Sequence, residues 1–193
     1  MGNFFMFIAL NHIIMKKILT IILAFSITTV VGQVKRQEDS QKSNFETFSI
    51  AAGSFSKKEI YLIGKVGSIS IEAIKLISIS NEKSLTALRL SATPYNSTYE
   101  KSAVLDADEV DGYLKCLKYI QTNVTSSPLP EISVEYNYYA RGGFSSGIFN
   151  QTKKSKWTVY LDLEKYDNNS TFYLTPDDLT VLIDLVTQAK GKL

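Results

Sequence analysis

From Glu59 to Thr93 the chain reads EIYLIGKVGSISIEAIKLISISNEKSLTALRLSAT, with apolar residues recurring at alternate positions. Ile69, Ile71 and Ala73 fall on one side of such a segment, and β-branched residues are frequent. Alternation of this kind marks strands with one buried face. The polar break SNEKS at 80–84 predicts a hairpin turn before Leu85, Ala87 and Leu88-Arg89-Leu90. A second strand-rich region begins after the linker SSPLPE at 126–131. There EISVEYNYYARGGFSSGIF predicts two strands joined near Arg141-Gly142-Gly143. Val134, Tyr136 and Tyr138 share one face of the first strand, and Tyr139 takes the other. KWTVYLDL at 156–163 and Thr171-Phe172-Tyr173 supply two more strands, and the polar turns NQTKKSK and EKYDNNS set them off.

Helical spacing occurs twice, each time behind the same kind of start. In LDADEVDGYLKCLKYI, at 105–120, Asp106 is placed to cap a helix and Glu109 to complete a capping box. Leu105 and Val110 form the staple, and Val110, Leu114, Leu117 and Gln121 follow one helical face flanked by Tyr113, Cys116 and Ile120. In LTPDDLTVLIDLVTQAK the cap is Thr175, the first helical residue Pro176, the box partner Asp178, and the staple Leu174 with Leu179. Laying one start on the other pairs Asp106 with Thr175, Glu109 with Asp178 and Val110 with Leu179. The strand at 156–163 then falls on ALRLSATP at 87–94.

The pattern predicts an α+β fold in which antiparallel β-sheet units are each followed by one α-helix, the whole arrangement duplicated. The expected domain runs from 48 to 193, with repeats at about 48–125 and 131–193 and a flexible polar leader at 33–47.

The acidic cluster at 105–112 invites a calcium reading, which the spacing rejects. Counted from Asp106, positions 5, 6 and 12 of an EF-hand loop fall on Val110, Asp111 and Leu117 instead of an oxygen ligand, glycine and acid. The acids fit the first turn of a helix, where its dipole favours them.

Ahead of all this, Met15-Lys16-Lys17 is followed by the uncharged run ILTIILAFSITTVV and then Gly32-Gln33. That is the form of a secretory signal peptide, with cleavage expected near Gly32-Gln33 and residues 1–14 read as a start called too early. An uncleaved anchor is the alternative, and Lys16 and Lys17 in mid-span oppose it. Cleavage removes two lysines and no acid, leaving 19 basic and 19 acidic residues, so the formal charge of +2 falls to zero. A neutral mature chain lacks the electrostatic footprint of a nucleic-acid binder.

The only histidine, His12, leaves with that segment, which removes histidine-dependent catalysis and most zinc sites from the expected mature protein. Cys116 is the only cysteine, so no intrachain disulfide can form, and its place in a helix pattern makes it a packing residue. No phosphate loop of recognised spacing is present, and no cofactor or metal is expected. Paired carboxylates such as Asp106 with Asp108, or Asp177 with Asp178, have the residue types of a hydrolase but serve equally as helix starts. Asn96, Asn123, Asn150 and Asn169 stand in Asn-x-Ser/Thr sequons, which matter only in a eukaryotic secretory route.

The aromatic run from Tyr136 to Tyr173 is the most distinctive chemistry. Both faces of the 131–149 hairpin carry rings, and both cannot be core. The candidate binding surface is therefore Tyr136, Tyr138, Tyr139, Arg141 and Phe144 with Trp157, suited to stacking on sugars, bases or a protein's apolar groups.

The Met-Lys-Lys signal, the strand-rich first half and the run LDADEVDGYLKCLKYI together resemble small secreted proteins of Bacteroidota. In these an Asp-x-Asp-Glu-x-Asp-Gly-Leu-x-Lys-Ala-Leu-x-Tyr-Ile run recurs; here Tyr113 and Cys116 replace its Leu and Ala. The resemblance covers most of the mature chain and implies export without implying an activity. Strands followed by a helix, twice, is also distantly similar in architecture to the Whirly-type single-strand nucleic-acid binders, which no motif supports. The expectation is thus an exported, periplasmic or secreted, non-catalytic binding module whose partner is an envelope protein or a glycan, with no transmembrane helix in the mature chain. Nucleic-acid binding by a Whirly-like sheet and a carboxylate-dependent hydrolase are the alternatives. The first requires cations gathered on one face; the second requires Asp108 or Asp111 to meet another acid in a cleft.

Overall fold

Two four-stranded antiparallel sheets, each a meander in sequence order, organise the chain. The structure is a computed structural model that describes residues 42–49, 53, 55–151 and 156–193, all within the unit Ser40–Leu193. A short helix α1 (Asn44–Ser49) precedes the first sheet, β1 (Ser56–Val66), β2 (Ile69–Ser78), β3 (Ser84–Ala92) and β4 (Lys101–Asp106). Helix α2 (Val110–Tyr119) follows, and its last turn widens over Ile120–Val124, where the Thr125 N–H reaches the Ile120 carbonyl at 3.0 Å. The second sheet is β5 (Glu135–Tyr139), β6 (Ser145–Gln151), β7 (Lys156–Asp162) and β8 (Thr171–Leu174), and helix α3 (Asp178–Lys190) follows it. The expected α+β class, with two strand units each followed by a helix, is the observed one. The segment read as a signal peptide and residues 152–155 of the expected polar turn lie outside the described residues.

Register explains the sequence alternation. Ile71 faces Leu90 and Leu90 faces Ala103, while Ala73 faces Leu88 and Leu88 faces Leu105, so one side of the first sheet is continuously apolar. That side joins the inner face of the second sheet (Ile148, Val159, Leu161, Leu174) and both helices in one core. Each helix reaches beyond its own unit. Tyr113 of α2 lies on the second sheet, its ring 5.3 Å from Phe144 and 5.2 Å from Tyr138. Leu185 of α3 lies on β1, where Gly64, beside a β-bulge, leaves the room that a Cβ only 2.6 Å from the leucine methyl would take. Exchange of helices makes the two units one folding body, because neither sheet has its apolar face covered without the other unit.

Two local expectations change. The leader expected to stay flexible to Thr47 is helical from Asn44, with Phe45 buried against Ile74, Leu76 and Ala87 on the far side of the first sheet. Asp106, expected to cap the helix that follows it, ends β4 instead, and α2 carries no side-chain cap from the residue before it. Only the return half of the capping box forms, the Asp106 N–H donating to Glu109 Oε2 at 3.0 Å. The second start repeats this: the Thr175 N–H donates to Asp178 Oδ2 at 2.8 Å. Both helices thus begin with the same reciprocal bond three residues apart. Among the described residues no helix is long and apolar enough to cross a membrane.

Candidate functional site

The acids of LDADEVDG are engaged in holding the fold. The buried Asp106 carboxylate accepts the N–H groups of Asn44 (2.8 Å) and Phe45 (2.9 Å), capping α1 from 61 residues away. Glu109 accepts the Arg141 N–H at 2.8 Å and lies 3.4 Å from its guanidinium. That guanidinium also pairs with Asp108 and sits 3.2 Å from Asp106. Asp111 meets Lys190 at 2.5 Å, and this ammonium holds its carboxyl below the usual carboxylate range. Asp111 therefore faces a cation, and Asp108 meets the acids Asp106 and Glu109 only across the Arg141 guanidinium that all three share, so each carboxylate is engaged in an ion pair. Arg141, placed by sequence on a binding surface, is the clamp that ties the β5–β6 turn to the start of α2.

The other expected site residues divide. Phe144 is fully buried, edge-on to Tyr113, and so belongs to the core. Tyr138 packs on the same ring and donates to the Glu109 carbonyl at 3.0 Å; burial pushes its hydroxyl up to about 12. Trp157 is nearly buried at 9% exposure, and its indole N–H has no partner among the described residues. Tyr136 and Tyr139 do reach solvent, Tyr136 bridging Trp157 (6.2 Å) and Tyr119 (6.3 Å) between ring centres. The reason for Phe144 is the Arg141-Gly142-Gly143 turn. Gly143, at φ 89°, turns the chain so that the next side chain points inward, as the run of letters does not show.

The exposed rings gather on the opposite side of the second sheet, on which neither α2 nor α3 lies. There Tyr139, Tyr160, Phe149 and Tyr173 stand on adjacent strands, Phe149 lying 6.1 Å from Tyr160 and 6.4 Å from Tyr173. Tyr139, at the end of edge strand β5, and Tyr173, on the opposite edge strand β8, are 71% and 64% exposed. The Asn137 amide organises the polar tips: with its nitrogen toward Glu135 (3.0 Å) and Tyr160 OH (2.7 Å), its oxygen receives Tyr139 OH at 3.3 Å. Burial, with Glu135 and Tyr139 alongside, pushes the Tyr160 hydroxyl up.

Two open clefts meet at Tyr173. One, of about 620 Å³, runs past Trp157, Thr125, Ser127 and Thr175. The other, of about 940 Å³, lies between the β3–β4 and β7–β8 connections and is rimmed by Tyr95, Tyr99 and Tyr173. Lys101 bridges the floor of this second cleft to Glu164 (2.9 Å) and Asp167 (2.7 Å). Cys116 is half-buried, and that burial raises its thiol's pKa, which suits a packing residue. Among the described residues no cluster of acids, histidines or cysteines could hold a metal ion.

Tyr160, Phe149 and Tyr173 were within the aromatic run read from sequence, but their common face follows only from register. The meeting of residues 93–100 with 163–170 had one sequence signal, the equal length of the two connections in equivalent places of the meanders. Asn150 shows the opposite case. Its sequon asparagine is buried, accepts the Val134 N–H at 2.6 Å and donates to the Pro130 and Ile132 carbonyls, pinning the linker between the units. No known protein family, curated protein or solved structure matches the chain.

Proposed function

We infer that the chain is an exported, non-catalytic binding module of the cell envelope, with the outer face of the second sheet as its recognition surface. The observation that carries this reading is the row Tyr139, Tyr160, Phe149 and Tyr173, two of its rings more than half exposed on the side of the sheet opposite the core face of Ile148, Val159 and Leu161. Rigid aromatic side chains on strands present contact area at little cost in conformational freedom. The Asn137 network fixes the Tyr139 and Tyr160 hydroxyls before any partner arrives. Export rests on the sequence pattern at 15–33.

Single-stranded nucleic-acid binding, favoured by the strand–helix order alone, meets a charge pattern that opposes it. Lys156 is accompanied on the outer face of the second sheet by Glu135 and Asp162. On the first sheet Arg89 is paired with Glu72 (3.1 Å) and Glu100 (2.5 Å). Phosphate binding needs uncompensated cations, and those of the first sheet, Lys58, Lys65 and Lys75, stand on a different sheet from the aromatic row.

The test is the N-terminal residue of the native protein from fractionated cells. Gln33 in the periplasmic or extracellular fraction supports the reading. Met1 or Met15 in the cytosol overturns its export half and makes single-stranded nucleic acid the ligand to try.

A further inference from the structure

We propose that the cleft between residues 93–100 and 163–170 binds a neutral oligosaccharide. The proposal deepens the binding-module reading by naming a ligand class and a place, and it rests on that reading.

The cleft lies where the equivalent connections of the two units meet, β3 to β4 in one and β7 to β8 in the other. Both are ordered by their own bonds. Buried Ser170 lies within 2.7 Å of Asp162 Oδ1 and of the Asp167 carbonyl, and accepts the Glu164 N–H at 3.1 Å. Across the cleft, the Ser97 N–H reaches the Pro94 carbonyl at 3.0 Å and the Tyr99 N–H reaches Ser97 Oγ at 3.0 Å. Lys101 then latches the two connections together. A site built this way spends little of its ligand's binding energy on ordering loops.

The chemistry of the walls selects the ligand. Three exposed tyrosines rim the opening: Tyr95 is fully exposed, Tyr99 79% and Tyr173 64%. A pyranose ring offers an apolar face of C–H bonds that lies flat on such rings. Between them stand the exposed amides of Asn96, Asn168 and Asn169 and the hydroxyl of Thr93, whose side chains make no hydrogen bond to the other described residues. Each amide both donates and accepts, as neighbouring sugar hydroxyls require. Charge excludes the anionic alternatives. The lining cation, Lys101, is held by two carboxylates, and Asp167 is itself occupied by Lys101 and the Asn169 N–H at 2.9 Å. A phosphate or sulfate would find no free positive charge here, whereas an uncharged polyol needs none.

Isothermal titration of the purified protein with maltohexaose, cellohexaose, xylohexaose and chitohexaose, each at low and high salt, tests this. At least one hexasaccharide should bind saturably with an affinity unchanged by salt. Tyr95→Ala combined with Tyr99→Ala should weaken it tenfold or more, and Tyr61→Ser on the first sheet should leave it unchanged. Both tyrosines of the double variant are exposed, so its fold should be intact, and thermal unfolding checks that. No binding by any of the four at millimolar concentration overturns the proposal, as does binding that the double variant keeps. Absence of sugar binding by the wild type, in a protein that still sediments with cell envelopes, would sink the ligand class and leave the binding-module reading standing.

Discussion

The two faces of the second sheet carry the same residue types and put them to opposite uses. On the inner face Tyr138, joined by Phe144 from the preceding turn, closes around Tyr113, and every ring there is wholly or partly out of water. On the outer face Tyr139, Tyr160 and Tyr173 stand one residue out of phase and meet solvent. One step along a strand thus separates a ring that stabilises the fold from a ring available to a partner. An aromatic run in a strand segment is therefore two lists interleaved, and only register sorts them.

Substitution separates the faces most sharply at Phe144. Phe144→Ala should cost about 3–5 kcal/mol, read from urea unfolding, because the cavity opens among Tyr113, Ile148 and Leu161. A cost under about 1 kcal/mol would mean that the inner face is not a packed core. Asp106→Ala should cost about 1–2 kcal/mol and speed amide exchange at Asn44 and Phe45, since it removes the acceptor of both N–H groups and leaves α1 only its own Ser43 cap. Exchange at those amides unchanged from wild type would show that α1 is held some other way.

The inner face should also contribute to the alkaline limit. The Tyr138 hydroxyl is raised to about 12 in the fold, so the folded state keeps this proton more tightly than the unfolded chain. Its contribution is complete below the ordinary tyrosine value of about 10 and is lost as pH rises from there to about 12. Unfolding free energy measured across that window should decline, and Tyr138→Phe should flatten part of the decline. The outer face gives the smallest effect on stability. Tyr139→Ser and Tyr173→Ser should each change it by no more than about 0.5 kcal/mol, while removing contact surface.

Much of the architecture was legible in the letters. The alternation around Ile69–Ala73 and the turn at 80–84 gave the strands and their faces, and the two matched helix starts gave the doubled order. The packing partners of those helices were not legible. An apolar face at Val110, Leu114 and Leu117 states that something must cover it, not which sheet will. The role of Asp106 escaped for a related reason: a carboxylate before a helix pattern satisfies the local capping rule, yet the N–H groups it serves belong to α1, far off in sequence. Arg141 looked like a free cation beside a glycine turn because its three acid neighbours lie about 30 residues upstream. Local rules find elements; long-range pairing decides which polar groups remain available.

The most direct test of the account is co-sedimentation of the purified protein with washed envelopes from the source cells. Wild type should be compared with the Tyr139→Ser/Tyr173→Ser double variant and with Tyr61→Ser on the other sheet. Wild type and Tyr61→Ser should sediment with the envelopes, while the double variant, equally folded by thermal melt, should stay in solution. Retention of the double variant at the wild-type level, or no retention of wild type at all, would contradict the claim that the outer aromatic face is the recognition surface.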